Sequence, residues 1–213
     1  LFVILSVMPW FDSILFDFDG VLADTEPVHC ACWAEVLATV GVSLSWDFYR
    51  RQCVGIDDRD MLRMLAAQSD PPRNWDGLWK LYPAKKQLFM ARMTTNPPFD
   101  PALAGFLKNL NGRYRMAVVS SSSCTEIEPI LAAGGLRQYF AVIVGAESVK
   151  RYKPAPDPYL LAAERLGSHT PLVVEDSEAG IASGRAAGFE VLQIHHPSEL
   201  PETVGRRLST CPS

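Results

Sequence analysis

The sequence has no long run of basic residues, no C-x-x-C pair, no internal repeat and no low-complexity tract. Its net charge is -4, from 20 lysines and arginines against 24 aspartates and glutamates. Gripping a phosphate backbone takes clustered cations, so nucleic-acid binding is disfavoured. The five cysteines, Cys30, Cys32, Cys53, Cys124 and Cys211, are an odd, scattered set without zinc-type spacing. They read as reduced thiols of a cytoplasmic protein, with Cys30 and Cys32 as packing residues. No stretch is long and apolar enough for a membrane helix. Leu1 to Val7 is apolar but too short to span a bilayer, and it lacks the positive n-region and cleavage site of a signal peptide. Met8 falls just ahead of the first core segment, so the residues before it read as an extension that the fold does not use. Nothing demands a dimer, and a monomer is expected.

What the sequence does have is apolar residues, 48% of its 213, enough for one large core or a core with a smaller inserted domain. It is organised around Ile14-Leu15-Phe16-Asp17-Phe18-Asp19-Gly20-Val21-Leu22-Ala23-Asp24-Thr25. An apolar run of strand character ends in two carboxylates two residues apart. Alternate side chains of a strand share a face, so Asp17 and Asp19 start out pointing the same way. Two such carboxylates repel and are costly to desolvate. A bound cation would offset this, and all-oxygen ligation suits magnesium. The alternative is a strand-to-turn junction whose aspartates cap the turn.

Along the chain, Phe11 to Phe18 reads as the first buried strand. From Pro27 the rhythm of Val28, Ala31, Cys32, Glu35 and Val36 is helical, closed by Gly41. Further helices are expected over Trp46 to Cys53, from Asp57-Asp58 through Leu65, and from Trp75 to about Met93 with a break at Pro83. Asn96-Pro97-Pro98 ends this strand-free stretch. Then the pattern alternates. Helices are expected at Ala102 to Leu110, Thr125 to Gly134, Pro158 to Leu166 and Ser177 to Ala187. Strands are expected at Arg115 to Ser120, Phe140 to Gly145, Leu172 to Val174 and Val191 to Ile194. Alternation with continuously apolar strands means a parallel sheet covered on both faces. The expected architecture is α/β: a Rossmann-like open parallel sheet at residues 8–25 and 97–213, with an all-helical insert at 26–96.

In such sheets ligands bind beyond the carboxyl ends of the strands. Asp17 and Asp19 follow the first strand. Ser120, Ser121 and Ser122 follow Val118-Val119, and Glu175 and Asp176 follow Val173-Val174. Lys153-Pro154-Ala155-Pro156-Asp157-Pro158 comes shortly after the Phe140 to Gly145 strand. A serine run alone is usually a turn and a lone lysine is usually solvated. Converging on one edge, they make a site.

These residues resemble the haloacid dehalogenase superfamily of phosphotransferases, in its beta-phosphoglucomutase-like branch. The stretch from Asp17 to Thr25 is similar to that family's first motif and Ser120 to its second. Lys153 with Pro-Ala-Pro-Asp resembles the third, and Glu175-Asp176-Ser177 with Gly180 the fourth. The likeness covers the whole core and the placement of the insert. It implies that Asp17 is the nucleophile, forming an aspartyl-phosphate, and that Asp19 is first general acid and then base. It implies magnesium held by Asp17, the backbone carbonyl of Asp19 and Asp176, with Glu175 nearby and partly through water. Ser120, Lys153 and adjacent N–H groups would spread the charge on the transferring oxygens, with Gly20, Ser121 and Ser122 lining the phosphate. A carboxylate at Asp19 points to phosphoryl transfer, because dehalogenating members have no leaving alcohol to protonate.

The insert resembles this branch's helical cap, hinged at Ala23 to Thr25 and Asn96 to Asp100. A closing cap excludes water and sets specificity. Its expected substrate contacts are His29, Gly55 to Arg59, and Lys85 or Lys86. The likeness implies hydrolysis of a small phosphomonoester, such as a sugar phosphate. A phosphosugar mutase is the alternative. Mutases carry an arginine in the cap where a gap-free reading puts Asp58, one residue before Arg59. They carry Lys-Asn where this chain has Ser123-Cys124. Both departures favour hydrolysis. A receiver-like signalling domain, itself phosphorylated on aspartate, is the reading from a different class. Asp19 and the large insert count against it.

Overall fold

The computed structural model describes residues 10–210; the reading of residues before Met8 as an unused extension lies outside them. Contacts divide the chain into two compact units, residues 24–98 and the rest.

The unit outside residues 24–98 is α/β. Its strands are β1 (Ser13–Phe16), β2 (Arg115–Val119), β3 (Val142–Val144), β4 (Pro171–Glu175) and β5 (Glu190–Gln193). All pair in parallel, in the order β3-β2-β1-β4-β5. β1 is shorter than the expected Phe11 to Phe18, because both neighbours begin opposite Ser13, at Arg115 and Pro171. As the central strand it is buried throughout, which is why Ser-Ile-Leu-Phe carries no alternation. β2 and β3 lie to one side of it and β4 and β5 to the other. The crossover direction therefore reverses beside β1, and a crevice opens between the carboxyl ends of β1 and β4 at such a switch point.

Both units carry helices. In the helical unit they are α1 (Glu26–Ala38), α2 (Trp46–Gln52), α3 (Asp58–Gln68), α4 (Trp75–Trp79) and α5 (Tyr82–Thr95). In the α/β unit they are α6 (Leu103–Leu110), α7 (Cys124–Ala133), α8 (Asp157–Leu166), α9 (Glu178–Ala186) and α10 (Leu200–Ser209). α8 packs Tyr159, Ala162, Ala163 and Leu166 with Leu15, Val119 and Val173 of the sheet. α10 has no counterpart in the sequence reading. Its signals are slight, a proline in the first turn and the i,i+4 pair Leu200 and Val204, both fully buried.

The helical unit has its own core, in which Trp33 and Leu37 of α1 meet Met61 and Leu62 of α3 and Leu78 of α4. Its limits, Asp24 and Pro98, stand two residues outside the expected 26–96 at each end. The Asp24 N–H bonds Pro98 O at 3.1 Å, which ties the two ends of the insert together. The expected helix from Trp75 to Met93 is two helices. The break falls at Lys80 and Leu81, ahead of Pro83, which lies in the first turn of α5 where its missing N–H is not needed. Among the described residues, no helix is long and apolar enough to cross a membrane.

Candidate active site

The Asp17 N–H bonds Val174 O at 3.0 Å. The β1–β4 ladder thus continues one residue past β1 and fixes where the carboxylate leaves the sheet. Asp17 is 7% exposed. After Asp19, Gly20 turns the chain back at φ +76°, its N–H bonding Ala23 O at 2.9 Å. A Cβ on Gly20 would fall 2.2 Å from Asp176 Oδ2. This glycine makes the turn and also leaves room for a carboxylate arriving from β4.

β2 runs out into Ser120, which is buried. Its Oγ accepts from the Ser122 N–H at 3.0 Å. The Ser122 hydroxyl donates to Asp19 Oδ2 at 3.2 Å, and the Ser120 hydroxyl approaches the same oxygen at 3.4 Å. Ser121 between them is exposed. Lys153, on the loop before α8, donates its three protons to Asp17 Oδ1 (2.6 Å), Glu175 Oε1 (2.6 Å) and Val119 O (3.0 Å). It therefore joins the ends of β1, β2 and β4.

Glu175 is fully buried and saturated. Oε1 accepts from Lys153 and from the Tyr159 hydroxyl at 2.9 Å. Oε2 accepts from the N–H groups of Asp176 (2.9 Å) and Ser177 (3.0 Å) and from Ser177 Oγ (3.0 Å). A Cβ on Gly180 would sit 1.6 Å from Glu175 Oε1. The glycine of the fourth motif is thus the clearance that this carboxylate requires.

Asp17, Glu175 and Asp176 share the charge of Lys153, and Asp19 stands near Asp17 and Asp176. Burial pushes Asp17 well above the usual carboxylate range, against the pull of Lys153, and the nearby charges of Glu175 and Asp19 add to the rise. Burial would raise Glu175 too, but Lys153 and the surrounding donors outweigh it and hold Glu175 below its usual value. Burial and then the charge of Glu175 push Asp176 up to about 6. Burial opposes the charge on Lys153, yet Asp17 and Glu175 keep its pKa above the ordinary lysine value. Oxygens of Asp17, Glu175 and Asp176 lie within 4.8 Å of one another. Hard anionic donors in excess of their counter-charge fit a small dication such as magnesium.

Three of the expected residues in the helical unit, His29, Asp58 and Lys85, come together. Lys85, 3% exposed, bonds His29 Nδ1 at 2.8 Å and Asp58 Oδ2 at 3.1 Å. The Trp33 indole N–H donates to Asp58 Oδ1 at 2.7 Å, and the His29 ring stacks on Phe89. Arg59 stands apart from this cluster, its guanidinium 4.7 Å over the Trp79 ring. Gly55, at φ +79°, lies in the turn between α2 and α3, and Lys86 is exposed. Sequence reasoning missed Tyr159, whose position in an apolar helical rhythm marks it as core and says nothing of its hydroxyl. It also noted Asp58 without assigning its partners.

The strand order separates the chain from receiver domains of the flavodoxin type, whose sheet runs 2-1-3-4-5. What remains is the class of α/β enzymes that work on phosphoryl groups at a switch-point crevice. The chain belongs to the haloacid dehalogenase-like hydrolases, whose family profile matches residues 14–194. It is 34% identical over 185 residues to the fructose-1-phosphate phosphatase YqaB of Escherichia coli strain K12, covering 85% of this chain and 95% of that protein. It is 32% identical over 182 residues to a phosphorylated carbohydrates phosphatase of Thermotoga maritima, covering 84% and 82%. The structure of CbbY from Rhodobacter sphaeroides in complex with phosphate superposes with a TM-score of 0.68 at 27% identity, over 85% of this chain and 84% of that one. The chain is an enzyme of the phosphatase type.

Proposed function

We propose that this phosphatase hydrolyses a small sugar monophosphate with magnesium, through a phosphoryl group carried on Asp17. One observation carries the reading. A buried carboxylate bonded to a buried lysine stands beside a second, half-exposed carboxylate whose Oδ2 faces the neutral hydroxyls of Ser120 and Ser122. The first suits a nucleophile and the second a proton carrier. An Asp17 oxygen attacks phosphorus, the bond to the substrate oxygen breaks, and Asp19 gives its proton to the departing alkoxide. Water then attacks the phosphorus, Asp19 takes up the water's proton, and the bond to Asp17 breaks to release inorganic phosphate. Lys153, exchanging its bond to Val119 O, the Ser120 hydroxyl and the Ser121 N–H donate to the non-bridging oxygens in both steps. Asp17, Asp176 and the Asp19 carbonyl would hold magnesium, which lets an anionic nucleophile approach an anionic phosphate. Glu175, with five protein donors on its two oxygens, serves mainly to hold Lys153.

The sugar follows from the relatives, whose names specify fructose 1-phosphate and phosphorylated carbohydrates. In this reading residues 24–98 act as the specificity cap, with His29, Gly55, Arg59 and Lys85 as its candidate contacts. Two observations favour a monophosphatase over a mutase, which must also hold a second phosphate. Asp58 pairs with the buried Lys85 and cancels its charge. At the N-terminus of α7, the Cys124 N–H already donates to Glu147 Oε1 at 2.9 Å. The test is phosphate release from a panel of sugar phosphates, with glucose 1-phosphate plus a glucose bisphosphate included. Sustained magnesium-dependent release from a sugar 1-phosphate is expected. Conversion of glucose 1-phosphate to its 6-isomer without phosphate release would establish the mutase instead.

A further inference from the structure

Tyr159 has no part in the reaction as written, yet its surroundings are those of the site. It lies in the first turn of α8 and is fully buried. A phenylalanine would fill the same space, and a buried hydroxyl is unfavourable unless it is bonded. Here the hydroxyl donates to Glu175 Oε1 at 2.9 Å, and the face of the ring lies 5.0 Å from the Lys153 ammonium. The tyrosine therefore touches both members of the ion pair that borders Asp17. Glu175 Oε2 is held by three donors, whereas Oε1 has only Lys153 and Tyr159. With the phenol gone, Oε1 would have the ammonium as its sole donor, and Lys153 would be drawn toward Glu175 and away from Asp17.

We propose that Tyr159 is a positioning residue for phosphoryl transfer, its O–H and ring face fixing Glu175 and Lys153 so that the ammonium stays bonded to Asp17. The proposal rests on the roles given above to Asp17 and Lys153. It assigns the hydroxyl to kcat, because Tyr159 acts through Lys153 and touches no substrate.

The experiment compares Tyr159→Phe and Tyr159→Leu with the parent protein on p-nitrophenyl phosphate, with full magnesium titrations and thermal melts. Tyr159→Phe keeps the ring and loses one hydrogen bond to a charged acceptor. Roughly tenfold lower kcat is expected, with KM and the magnesium half-saturation point within about twofold. Tyr159→Leu loses the ring as well and should fall further. In a Glu175→Gln background the Tyr159→Phe change should cost clearly less, since the two act as one unit. An unchanged kcat in Tyr159→Phe, at a temperature where its melt shows it folded, overturns the proposal. A change confined to KM, or full additivity with Glu175→Gln, overturns it equally. Lys153→Ala separates the layers. If that variant stays active, the parent reading fails. If it is inactive while Tyr159→Phe is unaffected, the positioning role alone falls.

Discussion

Asp19 shows how much of the reaction is set by the partners of one side chain. Its Oδ2 faces the hydroxyls of Ser120 and Ser122, and a hydroxyl can donate to a carboxylate or accept from a carboxylic acid. The pair therefore suits a group that must lose a proton and then regain one. If Asp19 protonates the leaving group, Asp19→Asn should lower kcat/KM for a sugar phosphate by about a hundredfold or more. It should lower kcat/KM for p-nitrophenyl phosphate far less, because nitrophenolate leaves unaided. Equal losses on the two substrates would remove Asp19 from the acid role. Asp17→Asn is expected to abolish turnover while leaving the fold intact, since it removes a buried carboxylate that Glu175 and Asp19 repel. Substantial magnesium-dependent turnover by that variant would show that the nucleophile lies elsewhere.

The β4–α9 connection carries the tightest constraint among the elements. Ser177 caps α9, its Oγ accepting from the Gly180 N–H at 3.0 Å while donating to Glu175. The start of the helix and the end of the strand thus share one hydroxyl. Gly180→Ala would place a methyl on the Glu175 carboxylate, so the cap, the carboxylate or Lys153 must shift. We expect a loss of about 1–3 kcal/mol in urea unfolding and a severe loss of activity together. A variant of normal stability and activity would contradict this placement of Glu175. In the helical unit, Lys85 binds α5 to α1 and α3 through His29 and Asp58. Removing one partner of a buried pair usually costs more than the pair contributes. Lys85→Met should therefore destabilise the protein more than Lys85→Met with Asp58→Asn, as read by denaturant midpoints. The reverse order would mean that the ion pair is not what holds these helices.

For the whole molecule, two cores make two cooperative regions possible. Leu62→Ala should lower hydrogen-exchange protection across 24–98 while the amides of β2 and β4 keep theirs. Uniform loss would mean a single cooperative unit. The acidic cluster ties stability to pH. Asp176, at about 6 against an ordinary 3.8, is raised by folding. In metal-free protein its contribution to stability is fully present below the unfolded value and is lost as pH rises through about 6. If magnesium binds here, it needs the ionised carboxylate, so its stabilisation would run the opposite way. The rise in melting temperature caused by magnesium, measured against EDTA, should be larger at pH 7.5 than at pH 5. An equal rise at both would disconnect the metal from Asp176.

The class of fold and the core of the site were legible in the sequence because both are local. Continuous apolar runs such as Ile14 to Phe16 mark strands buried on both faces, and the residues just beyond them are placed by the sheet itself. Asp17, Ser120 and Asp176 each follow a strand end directly, so a single pattern located all three. Lys153 follows no strand directly, and its place a short way after the Phe140 to Gly145 segment was the looser pointer to the same edge. The tertiary structure alone decided which partners each side chain has. Tyr159 lies sixteen residues from Glu175, and Glu147 lies twenty-three from the helix N-terminus that it fills. Asp58 meets Lys85 across twenty-seven. Such pairings depend on how helices dock, and no spacing along a chain encodes a distance between two helices.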